Sequence, residues 1–335
     1  MNSLSIGDLA NSFLLQRRGT ALKTEMSRLT QELATGQVSD IKSVLAGNFS
    51  YLSDLENSMK TLEGYKVAST EASQVTGTMQ SILANIQDIG AQFSADLISV
   101  STGGLDAIAL QNATTARQYL DSVVSSLNTE FAGRKLFSGT AVNSSPLASS
   151  SDLIDALRTE LSGVVGAGAK EAAAEAWFDD PAGFDAIVYQ GSTAALAPFR
   201  LSQTEDISLD VRANSNEIKE VLRHLTMAAL ADDATLVSGP AERLEILQSA
   251  GEGLFNNQNS LTALRANIGF SEARIDQIAT RNASEMTALE YAKGTLLAAD
   301  PFETVTRLEE VQFQLQSLYT VTSRSSELKL VNFLR

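Results

Sequence analysis

Residues 133–140, GRKLFSGT, bring two glycines, a lysine and a Ser/Thr pair within eight positions, the raw material of a phosphate-binding loop. Such a loop needs Lys and Ser/Thr directly after its second glycine, so that backbone amides cradle the phosphates and the ammonium neutralises them. Here Lys135 comes early and nothing basic follows Gly139, so the spacing fails. Gly103–Gly104 lacks the third glycine of a dinucleotide loop and reads as a helix break. The acidic pairs Asp179–Asp180, Asp232–Asp233 and Glu309–Glu310 are adjacent, and adjacent side chains on a helix diverge rather than converge on one substrate. Their surroundings, such as ALADDATL, read as solvated. No segment has the alternating Asp/Asn, central Gly and final Glu of a calcium loop. Cysteine is absent, and the one histidine, His224, leaves neither a zinc pair nor a triad base. Its setting, EIKEVLRHLTMAAL, reads as a helix with His224 at or near the surface. Trp177 in EAWFDDP reads as the anchor of a small core beside Phe178 rather than as a ligand platform. These residues point to no enzyme, no metal and no cofactor.

The elements are more informative. Leu22, Met26, Leu29 and Leu33 recur by four, three and four, one stripe of a helix, until Gly36 breaks it. A second run passes through Leu52, Leu55, Met59 and Leu62. Val75, Met79, Ile82, Ile86, Ile89 and Phe93 keep the same alternation, the pattern of a coiled-coil seam. A further helix passes Leu105, Ile108, Thr115 and Tyr119 and ends near Phe131. Heptad spacing returns from Leu261 to Leu296, interrupted by Ser271, Asn282 and Glu285, over roughly 54 Å if helical throughout. Asp300 then reads as the cap of a new helix with Pro301 in its first turn. That helix carries Leu308, Val311, Leu315 and Leu318 and ends in an apolar tip with Leu330, Phe333 and Leu334.

Between these runs, residues 141–215 lose the long periods. AIVYQ at 186–190 and ISLDVRA at 207–213 read as strands, the second by strict alternation. The expected architecture is mainly α: a long antiparallel helical bundle or coiled-coil rod formed by both chain ends, with a small mixed α+β outer domain inserted in the middle. Its boundaries fall at 1–44 with 297–335 for the terminal helices, 45–140 with 216–296 for the rod, and 141–215 for the outer domain. Gly133, Phe137, Ser138 and Gly139 mark the turn between rod and outer domain.

The net charge is −15 and unevenly placed. Residues 151–260 hold 18 acidic and 7 basic side chains, whereas residues 1–40 hold four of each. Nucleic acid is disfavoured as a partner, because no basic field meets the phosphates. No cleavable export signal and no membrane-length apolar run is evident. Near-neutral ends pack against copies of themselves with little repulsion, while an acidic middle prefers water. The apolar stripes at 22–33 and 308–334 are each other's simplest cover, and they are also expected to meet other molecules, since exposed stripes of this kind mark interaction surfaces.

FAGRKLFSGT resembles the turn that closes the helical core in the hook–filament junction branch of the flagellin superfamily. RLTQELATGQ, LTALRANIG and the tail from Ala299 are similar to that family's N-terminal helix, the opening of its C-terminal core helix and its ending. YQGSTAALAPFRLSQTEDISLDVRA is similar to its outer β segment. One departure is the turn after Gly36, which runs Gln37, Val38, Ser39, Asp40 where the family often has a basic residue and Asp-Asp-Pro. The resemblance implies a secreted structural protein of the bacterial flagellum, exported unfolded and assembling as a ring through its terminal helices. Its implied partners are the first hook-associated protein, flagellin, further copies of itself and an export chaperone that masks the C-terminal helix. Filament flagellin and a coiled-coil secretion or signalling protein stay open as alternatives.

Overall fold

The computed structural model describes residues 6–45, 49–103 and 106–333. Among these the chain is helical nearly throughout: α1 (Ile6–Thr35), α2 (Ile41–Val44), α3 (Ser50–Gly103), α4 (Asp106–Leu127), α5 (Ser150–Glu160), α6 (Ala167–Asp179), α7 (Phe184–Ile187), α8 (Asn216–Leu230), α9 (Pro240–Asn256), α10 (Gln258–Leu296) and α11 (Pro301–Phe333). Two antiparallel ladders complete it, β1 (Glu130–Phe131) with β2 (Arg134–Lys135), and β3 (Phe199–Arg200) with β4 (Asp206–Ile207). The chain folds as two compact units, Met1–Thr61 with Ser284–Arg335, and Leu62–Ala283.

The larger unit is built around α8. Every residue from Ile218 to Leu230 except Glu220 is buried, the polar Lys219, Arg223 and His224 included; these buried groups are paired, Lys219 with the Phe178 carbonyl and Arg223 with Glu171. It packs on α4, α9, α5 and α6. The seam read on α3 is buried at Val75, Met79, Ile86, Ile89 and Phe93. Thr76, Leu83 and Leu97 are buried with them, giving a face broader than a two-position coiled-coil seam. On α10, Leu261, Leu264, Ile268, Ile275 and Ile278 follow the heptad inward. Asn282 is buried in the same seam and donates from Nδ2 to the Leu201 carbonyl at 2.8 Å, which satisfies the polar group there. The break at Gly103–Gly104 coincides with the end of α3, with Gly104 itself outside the described residues.

The segment 141–215 is the small mixed piece expected: it holds three helices, α5 to α7, and the β3–β4 ladder. Its apolar residues, among them Leu147, Leu153, Leu157, Trp177, Phe178 and Phe184, belong to the same buried cluster as α4 and α8. The alanine-rich stretch AGAKEAAAEAW, which lies where the long periods are lost, is the strong helix former α6. AIVYQ is not a strand: Ala186 and Ile187 end α7, and Tyr189 makes only an isolated bridge to Leu147. Of ISLDVRA only Ile207 lies in a ladder. The rest alternates faithfully, with Leu209 and Val211 buried and Ser208 and Asp210 exposed, but no strand pairs with it. Alternation reports one-sided burial and does not by itself supply a hydrogen-bonding neighbour.

His224 is another correction, for it is 4% exposed. Its Nε2 lies 3.2 Å from Glu220 Oε2, and its ring rests against the Gly253 backbone, where an added Cβ would come within 2.0 Å of it. Arg223 donates to Glu171 at 2.5 Å and to Glu220 at 2.6 Å. Burial pushes the Glu220 carboxyl up, but hydrogen bonds from His224 and Arg223 outweigh it and hold the group down to about 2. The pair Asp232–Asp233, read as solvated, is also engaged, with Asp232 bound by Arg117 and Asp233 by Arg158 at 2.6 Å.

Candidate assembly interface

The smaller unit positions the terminal stripes. Helices α1 and α11 pack on each other, and Leu29, Val311 and Leu315 form a buried cluster flanked by the half-buried Leu22, Met26 and Leu308. Leu318 reaches to 3.4 Å from where a Cβ on Gly19 would lie. The two stripes therefore cover one another within a single copy. This is the mutual cover expected of the two stripes, since opposed stripes on one chain meet at far higher effective concentration than stripes on two. Leu33 departs from the cluster and is 41% exposed. Leu330, Phe333 and Leu334 lie outside the residues whose side chains are described.

The apolar groups that remain open on this pair are others, and half or more of them are aromatic. Phe13 and Leu14 are exposed on α1, and Phe302, Phe313, Tyr319 and Val321 on α11. Periodicity missed them because a search for one stripe discards residues on the opposite face. The signal was composition: Phe13 and Phe313 stand in otherwise amphipathic helices away from the spaced stripe, and rings left uncovered on a paired helix are candidates for a second contact surface.

Polar groups hold the pair where both helices break. Arg28 binds Glu25 and donates to Glu32 Oε1 at 2.7 Å. The hydrogen bond from Arg28 lowers the Glu25 carboxyl below its ordinary range. Glu32 is 3% exposed and also accepts from the Ser39 amide at 2.8 Å. Val38 N donates to the Leu297 carbonyl and Ala299 N to the Gly36 carbonyl, each at 2.9 Å, around a Gln37–Ala298 bridge. Asp300 Oδ1 accepts from the amides of Phe302 at 2.9 Å and Glu303 at 3.3 Å, the cap expected from Asp300-Pro301.

In the larger unit the GRKLFSGT turn is a weld. Gly133 lies in the two-residue loop of the β1–β2 hairpin, and Phe137 and Ser138 are fully buried. Ala213 N donates to the Phe137 carbonyl at 2.9 Å, Ser192 N to the Ser138 carbonyl at 2.8 Å, and Thr140 N to the Ala194 carbonyl at 3.1 Å. Gly139 has φ +62°, and a Cβ there would sit 2.2 Å from the Ala194 carbonyl oxygen, so only glycine fits. The turn's backbone is spent on neighbouring segments at 192–194 and 213. Among the described residues, no group of three or more His, Cys, Asp or Glu could hold a metal, and no helix is long and apolar enough to cross a membrane.

A long helical chain whose two ends pair, with uncovered rings along the pair, has the build of a filament- or rod-forming structural protein. Residues 255–334 match the family model of the bacterial flagellin C-terminal helical region. The fold is that of flagellar hook-associated proteins. The structure of a putative flagellar hook-associated protein from Vibrio parahaemolyticus superposes with a TM-score of 0.52 at 12% identity, covering 73% of this chain and 95% of that one. Bacillus cereus FlgL superposes with a TM-score of 0.51 at 15% identity, covering 72% of this chain and 98% of that one. No curated protein sequence matches the chain.

Proposed function

We propose that the chain is hook-associated protein 3, the adaptor of the flagellar hook–filament junction, linking the first hook-associated protein to the flagellin filament. In this reading it is a secreted structural protein, exported unfolded, with a dedicated chaperone on its C-terminal helix before export. It assembles as a ring of copies through the paired terminal helices. The observation that carries the reading is the coincidence of the flagellin-type C-terminal region with the α1/α11 pair that exposes Phe13, Phe313 and Tyr319. The inward stripe closes the pair, and the outward rings are left to bind neighbours, each worth about 1.5–3 kcal/mol when fully covered.

Deletion of residues 300–335 tests it. Hooks should form normally while flagellin is lost to the medium; normal filaments on that background would refute the junction role. A specific observation also favours filament flagellin, because the matching family model is that of flagellin. That reading predicts that this chain is the bulk protein of sheared filaments and forms long polymers alone. The adaptor is expected in trace amount at the hook end, where immunogold labelling would find it.

A further inference from the structure

The α1/α11 seam has too little individuality to choose its own alignment. Leu15, Leu22 and Leu29 recur every seven residues on α1, and Leu308 and Leu315 do so on α11. Sliding one helix past the other by a heptad puts leucine back on leucine at most levels. In paired helices such degeneracy is broken by polar groups that are satisfied in only one alignment. One exposed contact on the seam's flank, Lys23 over the Tyr319 ring at 5.8 Å, is of a weak kind.

The polar groups with the required burial sit together at the breaks. Glu32 is a nearly inaccessible carboxylate whose Oε1 serves both Arg28 and the Ser39 amide. Ser39 reaches it because Gly36 turns the chain at φ +69°. The same turn pairs with residues 297–299 through the Val38–Leu297 and Ala299–Gly36 hydrogen bonds. A slip by one heptad would carry the seam past residues 297–300, so that either the two backbone bonds between the turn and this segment go unmade or the turn is dragged off Glu32, leaving its buried carboxylate without the Ser39 donor. Each such loss is far costlier than an exchange of one leucine for another.

We infer that this clasp, Glu32 with the Gly36–Ser39 turn and the Leu297–Ala299 segment, is the register latch of the terminal helices. Its function is to fix which level of α1 faces which level of α11, and with it the pattern in which Phe13, Phe313 and Tyr319 are displayed. The seam supplies the attraction and the clasp supplies the alignment. This holds whatever the assembled partner is.

The chain contains no cysteine, so thiol cross-linking of the full-length protein reads the register directly. A Gly19→Cys, Leu318→Cys pair reports the native alignment, and a Ser12→Cys, Leu318→Cys pair reports a slip of one heptad. With the clasp intact, a short bismaleimide should join only the first pair. Adding Glu32→Ala, or separately Gly36→Val, should raise the slipped product relative to the native one about tenfold or more, the ratio expected from loss of one buried hydrogen-bonded partner. Unchanged selectivity in both clasp variants would overturn the inference. So would loss of both products, because a latch that sets alignment leaves the seam able to pair.

Discussion

Truncating Leu29 to alanine should loosen the terminal pair and leave the larger unit untouched. Leu29 is 1% exposed, and among the described residues only Val311 and Leu315 share its buried cluster. At about 1.5–3 kcal/mol per buried aliphatic side chain, the three together contribute about 5–9 kcal/mol, from which the entropy of ordering two long helices must be subtracted. Leu→Ala in a core costs about 2–5 kcal/mol. The lower part of that range applies here, because the half-buried Leu22, Met26 and Leu308 can settle into the gap. A loss of about 2–3 kcal/mol corresponds to a rise of roughly 30- to 160-fold in amide exchange through opening of the pair. Hydrogen exchange followed by mass spectrometry reads this on peptides from 6–35 and 301–324, with peptides from 62–283 as the internal control. A rise below about threefold in the terminal peptides, or an equal rise in the control peptides, would refute the assignment of this cluster as what holds the pair closed.

Phe313→Ala should leave stability within about 0.5 kcal/mol, since the ring is exposed, yet impair incorporation into flagella, scored by flagellin lost to the medium. Gly253→Ala should lower the thermal midpoint of the larger unit by an overpacking penalty of about 1–3 kcal/mol, because its Cβ would overlap the His224 ring; adding His224→Ala should recover part of the loss. Acidification should destabilise the larger unit as well. Lys170, with help from Ser238, holds the Glu242 carboxyl at about 2, below its ordinary 4.5, and Glu220 is held at a similar value. Depressed carboxylates contribute stability that is present above the ordinary value and lost as pH falls through the folded one. For Glu242 that amounts to on the order of 3 kcal/mol, so denaturant midpoints should fall between pH 4.5 and about 2, and Lys170→Met should remove much of that dependence.

The long helices were legible because their apolar spacing is governed by a single period. Val75 to Phe93 and Leu261 to Ile278 go inward largely as spaced, and Asp300-Pro301 caps α11 as the residue types dictate. The misreadings share a cause: they concern what lies opposite a segment. Leu209 and Val211 alternate as a strand does, but burial on one face says nothing about a missing ladder partner. His224 and Asp232 look like surface residues in isolation. Glu220 stands one helical turn from His224, but only the fold brings Glu171 to His224 and Arg117 to Asp232, the latter across 115 positions. The terminal seams and their closure on each other were legible, but not that Phe13 and Phe313 face outward. A stripe gives a direction around its own helix and leaves open which surface will meet it.

Trp177 is the chain's sole indole, packed edge-on against Phe178 at 5.2 Å and Phe184 at 6.3 Å between ring centroids. Its emission therefore follows melting of residues 62–283 alone. Fraying at either tip of the polypeptide is optically silent at that wavelength, so a tryptophan-monitored titration would declare the molecule intact after its ends had already parted.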